Sequence, residues 1–66
     1  MIRVTLHNDE KATVYADGGI AFNRNVNGIG WVYEDKPSVA IVRLALAVRE
    51  AHYPHLAPLN VETVMS

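Results

Sequence analysis

Residues 38–53 read SVAIVRLALAVREAHY, and this stretch decides the fold because it has the pattern of an amphipathic helix. At 3.6 residues per turn, its apolar side chains fall into two stripes. The first stripe contains Ile41, Leu44, Ala45, Val48 and Ala51, and the second contains Val39, Val42, Leu46 and Tyr53. A helix that packs on a single core needs only one stripe. We therefore expect a second copy of the chain to cover the second stripe, with the C-terminal segment of the same chain as the alternative.

Prolines suggest where this helix begins and ends. Pro54 cannot continue it, and the residue before a proline is disfavoured in the α region, so Tyr53 is the expected last residue. Pro37 suits the first helical position or its neighbour, because its missing N–H costs nothing there. Asp35 or Lys36 is then the expected N-cap.

The residues before the helix predict an antiparallel meander. Apolar and polar residues alternate over 2–7, and β-forming residues cluster at 12–16 and 29–34. The segment 8–11 is polar and turn-forming, and Asp17-Gly18-Gly19 is the strongest turn signal. We leave open whether Ile20–Phe22 is a separate strand. Alternation at Leu59, Val61, Thr63 and Met65 predicts a final strand.

These elements predict one α+β domain over residues 1–66. It contains a small antiparallel sheet of three to four strands packed on one helix, in the order β-β-β-α-β. A domain of this size has a thin stability margin and often gains the remainder from disulfides, a metal or oligomerisation. Cysteine is absent, so disulfides and cysteine-ligated zinc are excluded. Oligomerisation is therefore expected on grounds independent of the second stripe.

Charge and hydropathy set expectations about partners. The net charge of −1 gives no general attraction to nucleic acid or anionic membrane. No apolar run is long enough to span a bilayer, and the N-terminal residues lack the pattern of a secretion signal. We expect a cytoplasmic protein with no membrane partner.

Tyr15, Trp31 and Tyr33 have two interpretations. On an exposed sheet face they resemble the aromatic platforms that stack single-stranded bases. We favour the other interpretation, that Trp31 and Tyr33 pack against the helix as core, since a small domain needs its large side chains there. Nucleic acid is then not a favoured partner.

The polar segment 23–28 is expected to be a loop, and Asn23, Arg24 and Asn25 are its candidate partner-binding residues. A solvated connection is the equally simple alternative. His7, His52 and His55 do not form a metal site, because Pro54 ends the helix between the last two and no cysteine is available. No metal, cofactor or catalytic residue is predicted.

Tyr15-Ala16-Asp17-Gly18-Gly19 resembles the opening strand of ribonuclease H-like nucleases, in which a metal-binding aspartate precedes a glycine. The resemblance implies metal-dependent hydrolysis, but those enzymes need further carboxylates from a helix and a later strand, and the first turns of this helix carry no glutamate. The element order also resembles the partial ribonuclease H-like fold of HicB-type antitoxins, although the proline-glycine loop of that family is missing. This second resemblance implies that a chain of this size and order can serve as an inhibitor.

The sequence therefore favours a non-enzymatic interaction protein, a homodimer that binds and regulates or inhibits a larger, unidentified protein, as phage and mobile-element regulators do. The expected self-association residues are Val39, Val42, Leu46, Arg49 and Tyr53. The alternatives are a nucleic-acid-binding or antitoxin-like regulator and a truncated ribonuclease H-like hydrolase.

Overall fold

The computed structural model describes residues 1–65 and has an α+β fold, as predicted. Its strands are β1 (Ile2–Thr5), β2 (Glu10–Val14), β3 (Ile20–Val26) and β4 (Gly30–Tyr33), and its helices are α1 (Val39–His52) and α2 (Val61–Met65). The order β-β-β-β-α-α includes the separate strand from Ile20 that the sequence left open, and it has a helix in place of the predicted final strand. None of the helices in the described part of the chain is long and apolar enough to cross a membrane.

The sheet is a four-stranded antiparallel meander in the order β1-β2-β3-β4. The turn predicted at residues 17–19 lies between β2 and β3, where the Tyr15 amide donates to the Gly19 carbonyl over 2.8 Å. Gly18 has a φ of +93°, and a Cβ on it would lie 2.9 Å from Nη2 of Arg49. Glycine is therefore required at this position by both backbone conformation and space.

β3 extends well beyond Ile20–Phe22, through the segment that the sequence suggested was a loop. Asn23 pairs with Lys11 of β2 and with Tyr33 of β4, and Asn25 pairs with Trp31. Pairing with a strand on each side outweighs the low strand propensity of asparagine. The expectation of a loop at Asn23–Asn25 is wrong for this reason.

α1 packs across one face of the sheet, and the core lies between them. The fully buried apolar side chains are Ala12, Val14, Ile41, Val42 and Ala45. Partly buried residues from β1, β3 and α2 surround this core, among them Val4, Phe22, Val61 and Val64. We call the face of the sheet that α1 covers the inner face and the opposite one the outer face.

The helix ends at His52, one residue before the predicted end, and begins later than expected. Tyr53 is the C-cap, and its amide donates to the Arg49 carbonyl over 2.8 Å. The N-cap is Ser38, whose hydroxyl accepts from the Ile41 amide over 3.3 Å, so the prediction of Asp35 or Lys36 is wrong. Ser38 is fixed in this role because the carboxylate of Glu10 accepts hydrogen bonds from both its amide and its hydroxyl.

The predicted final strand is also wrong, because residues 61–65 form the short helix α2. The Asn60 side chain accepts from the Thr63 amide over 2.7 Å. This is the geometry of an N-cap. Val61 and Val64 then lie three residues apart on one face and pack against the core. Without a final strand, the likeness to the antitoxin fold in element order no longer holds.

Candidate interaction surface

The strand register assigns each side chain of the sheet to one of its two faces. Residues paired across antiparallel strands share a face, and neighbours along a strand alternate. The inner face therefore includes Val4, Ala12 and Phe22, which are paired with one another. The outer-face positions are Arg3, Thr5, Lys11, Thr13, Ala21, Asn23, Asn25, Trp31 and Tyr33.

Trp31 and Tyr33 lie on the outer face and are exposed to solvent. Trp31 is 44% exposed and Tyr33 is 84% exposed, so the expectation that they pack against the helix is wrong. The helix covers only one face, and Val32 occupies the inner position between them. Tyr15 directly follows β2 and is 42% exposed. Its amide donates to the Gly19 carbonyl across the turn between β2 and β3.

Lys11 and Trp31 form a cation–π contact on the outer face. The Lys11 ammonium lies 4.5 Å from the centroid of the Trp31 ring. Contacts of this kind are attractive at such a distance, and an exposed one contributes about 0.5–1 kcal/mol. The contact also restricts the position of an otherwise flexible charge, so the cation is held beside the aromatic rings.

The outer-face positions carry Arg3 and Lys11 and no carboxylate. This surface is therefore locally basic, although the whole chain has a net charge of −1. Asn23 and Asn25 add polar amides, and the Asn23 side chain donates to the Val32 carbonyl over 3.3 Å.

Arg24, the remaining residue of the predicted binding set, lies on the inner face rather than on the outer face. It lies at an inner-face position beyond the N-terminal end of α1, and its Nε lies 3.2 Å from Oε2 of Glu34. The Arg24 side chain remains 54% exposed. An ion pair this exposed is worth about 1 kcal/mol or less. The predicted set of Asn23, Arg24 and Asn25 is thus divided between the two faces.

The expected self-association residues of α1 also differ in their surroundings. Val42 is 0% exposed and Arg49 is 9% exposed within a single chain, so neither is available at a surface. Val39 is exposed, and Leu46 and Tyr53 are partly buried. Val42 of the second stripe is buried in one cluster with Ile41 and Ala45 of the first, so the two stripes contribute to a single core with β2.

Arg49 lies at the centre of that face and joins distant parts of the chain. Its Nε donates to the Gly18 carbonyl over 3.0 Å, and its Nη1 donates to the Ala57 carbonyl over 2.7 Å. The planar guanidinium suits two such acceptors at once. Sequence reasoning missed this role, although the position of Arg49 between two apolar stripes was a usable signal.

A groove of about 490 Å³ lies between α1 and the segment that follows it. Its lining is mixed and includes Leu46, Tyr53, Leu56 and Leu59, together with the charged Arg43, Arg49 and Glu50. Leu46 and Tyr53 are the members of the predicted self-association set that both line this groove and remain partly accessible.

Glu10 is a second residue whose role the sequence did not reveal, since it was assigned to a polar turn. It lies in β2, is buried, and accepts hydrogen bonds from the Ser38 amide, the Ser38 hydroxyl and the Asn8 side chain. Burial raises the pKa of Glu10, but these hydrogen bonds together outweigh it, so the pKa lies below its ordinary value. The carboxylate therefore anchors the start of α1 to the sheet.

The remaining candidate residues have local roles. Asp17 is exposed, and its side chain accepts from the Gly19 amide over 2.9 Å. Turn residues often make this bond. His7, His52 and His55 are exposed, and the His55 ring contacts Tyr53 edge to face. Among residues 1–65, no group of three or more histidine or acidic side chains has the arrangement of a metal site.

The chain matches no protein-family model, no curated protein and no solved structure.

Proposed function

We propose that this chain is a non-enzymatic interaction module that binds a larger macromolecule through the outer face of its sheet and thereby regulates or inhibits it. The observation that carries the proposal is the exposure of Trp31 and Tyr33 side by side on this face. Contiguous exposed aromatic surface marks interaction sites in small soluble domains. Tryptophan, tyrosine and arginine are also the residues most enriched among energetic hot spots of interfaces.

The chemistry of the outer face supports binding in a second way. The cation–π contact positions Lys11 before any partner arrives, so less side-chain entropy is lost on binding. Arg3, Asn23 and Asn25 surround the aromatic residues with groups that form hydrogen bonds at a polar rim. The sheet itself is held by three antiparallel strand pairs, which provide a rigid support for these side chains.

Partner capture from the native host tests this proposal. The variant Trp31→Ala/Tyr33→Ala is expected to lose the captured partner and retain the fold, because both side chains are exposed. Met65→Ala is the matched control, since it removes an exposed apolar side chain from α2, which packs on α1 and away from the outer face. Equal capture by the double variant, with an unchanged circular dichroism spectrum, would rule out the outer face.

Self-association through α1 remains part of the proposal. It is supported by the exposed Val39 and by the partly accessible Leu46 and Tyr53, which line the groove. The contact would be two-fold symmetric, as most small homo-oligomers are. It would leave the outer face free, because α1 lies on the inner face, and a dimer would then present two copies of the binding surface.

A further inference from the structure

Building on the proposed interaction function, we infer that the partner held at the outer face is single-stranded nucleic acid. Bases have flat aromatic faces, and single strands can place unpaired bases on tyrosine and tryptophan rings. Tyr33 is 84% exposed on the edge strand β4 and is the free stacking platform. Its neighbour on the same face, Trp31, lies two residues away, at a Cα spacing of about 7 Å.

Charge complementarity selects the partner. Arg3 and Lys11 are the charged residues at outer-face positions, and both are cationic. Lys11 is held over the Trp31 ring, so its ammonium lies among the exposed rings and can pair with a backbone phosphate of a strand bound there. Arg24 is also basic, but it lies on the inner face, where its side chain forms an ion pair with Glu34. The outer face of this net negative chain thus combines two cations with the exposed rings of Trp31 and Tyr33.

The same features favour a single strand over a duplex. A duplex keeps its bases stacked inside, where aromatic side chains on a flat sheet do not reach them. Binding to its backbone alone depends on many phosphate contacts, and this face offers two cations for that purpose. Stacking is sequence-tolerant, so the expected ligand is a short single-stranded segment without strong base preference.

The test is a titration of a fluorescein-labelled oligo(dT) decamer with the full chain, followed by anisotropy at low salt. We expect a Kd of about 1–100 μM, the range of sequence-independent binding. The logarithm of the binding constant should fall with the logarithm of the salt concentration with a slope of about −1.4, for two phosphate contacts. Trp31 is the sole tryptophan, so its intrinsic fluorescence gives an independent report of contact.

Variants separate stacking from charge. Tyr33→Ala is expected to weaken binding by about 5- to 150-fold, whereas Tyr33→Phe retains it because the ring is preserved. Lys11→Gln is expected to reduce the salt slope by about 0.7. Arg43→Gln is the matched charge control, since Arg43 is exposed on α1 and away from this face. Thermal melting of each variant confirms that the fold is retained.

Three results would overturn the inference. The first is no saturable binding of the decamer at protein concentrations up to about 1 mM, well above the expected range. The second is equal binding by Tyr33→Ala, with full competition by a polyphosphate that has no bases, which would indicate simple charge attraction. The third is decamer binding that is lost in Arg43→Gln but not in Lys11→Gln.

Partner capture from a nuclease-treated lysate, run in parallel, distinguishes failure of the nucleic-acid inference from failure of the proposed function. If the decamer does not bind but capture still depends on Trp31 and Tyr33, the partner is a protein and the nucleic-acid inference fails alone. If both experiments are negative, the interaction function of the outer face fails as well.

Discussion

Arg49 shows how one charged side chain can determine the packing of a small domain. Its aliphatic stem lies in the apolar face of α1, while its guanidinium binds two carbonyl groups that are far apart in sequence. Removal of the guanidinium would leave the carbonyl of the buried Gly18 without its donor, whereas Ala57 is exposed and its carbonyl can bind water instead. Unsatisfied buried groups cost more than the hydrogen bond itself contributes.

We expect Arg49→Met to lower the free energy of unfolding by about 2–4 kcal/mol, because the apolar stem is kept and both charged hydrogen bonds are lost. Urea denaturation measures this change. Arg43→Met is the control, since Arg43 is exposed on the same helix. A surface substitution of this kind should change stability by about 0.5 kcal/mol or less. Similar effects of the two substitutions would contradict the bridging role of Arg49.

Glu10 predicts a pH dependence of stability whose sign follows from its hydrogen bonds. Its pKa is lower in the folded chain than its ordinary value of 4.5, so folding favours the ionised form. The resulting stabilisation is complete above that ordinary value and is lost as the pH falls through the folded pKa. Glu10→Gln should cost about 1–2 kcal/mol at neutral pH, and its deficit relative to wild type should shrink in acid.

Denaturant midpoints measured from neutral pH down to about pH 3, below the ordinary carboxylate pKa, test this expectation. Glu50→Gln serves as the control, because Glu50 is exposed on α1 and should follow the wild-type profile. A Glu10→Gln deficit that stays constant across this range would show that the carboxylate contributes no linked ionisation.

At the scale of elements, the sequence predicted the features that depend on local chemistry. Pro54 fixed the end of α1, and the glycines at residues 18 and 19 fixed the turn between β2 and β3. The alternation of Ile2 and Val4 indicated the first strand. Each of these signals is contained in a few neighbouring residues, so it can be recognised without knowledge of the tertiary structure.

The features that were missed depend on contacts made elsewhere in the chain. Asn23 and Asn25 belong to a strand because β2 and β4 flank it, which no local propensity indicates. Alternation placed Trp31 and Val32 on opposite faces but did not say which face the helix would cover. The segment at residues 61–65 is too short to distinguish the helical period of 3.6 residues from the strand period of two. Asn60, whose side chain caps α2, was the overlooked signal for a helix.

The helix α2 gives a prediction at this scale, because it covers part of the core. Val61 and Val64 are only partly buried against that core. Replacing either valine by alanine should therefore lower the free energy of unfolding by about 0.5 to about 1.5 kcal/mol. Met65→Ala is the comparison, because this residue of α2 is exposed. Unchanged urea midpoints for both valine variants would mean that α2 does not stabilise the domain.

At the scale of the whole molecule, self-association through α1 predicts a change of mass with concentration. One chain has a mass of 7.3 kDa, and sedimentation over a wide concentration range should give a larger value. Leu46→Glu replaces an apolar side chain of the groove lining by a charge. It should therefore weaken the dimer and lower the free energy of unfolding together.

Ala51→Glu is the control for this substitution, because Ala51 is exposed and lies outside the groove lining. It should leave both mass and stability nearly unchanged. A wild-type chain that stays at the mass of one copy at every concentration would remove self-association and leave the outer face as the sole proposed contact surface.

The meander topology also determines the order in which the strands and the helix can fold as the chain leaves the ribosome. Strands that are neighbours in the sheet are neighbours in sequence, joined by short connections, so the hairpins close early. All four strands emerge before α1 does. Their apolar side therefore stays uncovered until α1 emerges and packs against it.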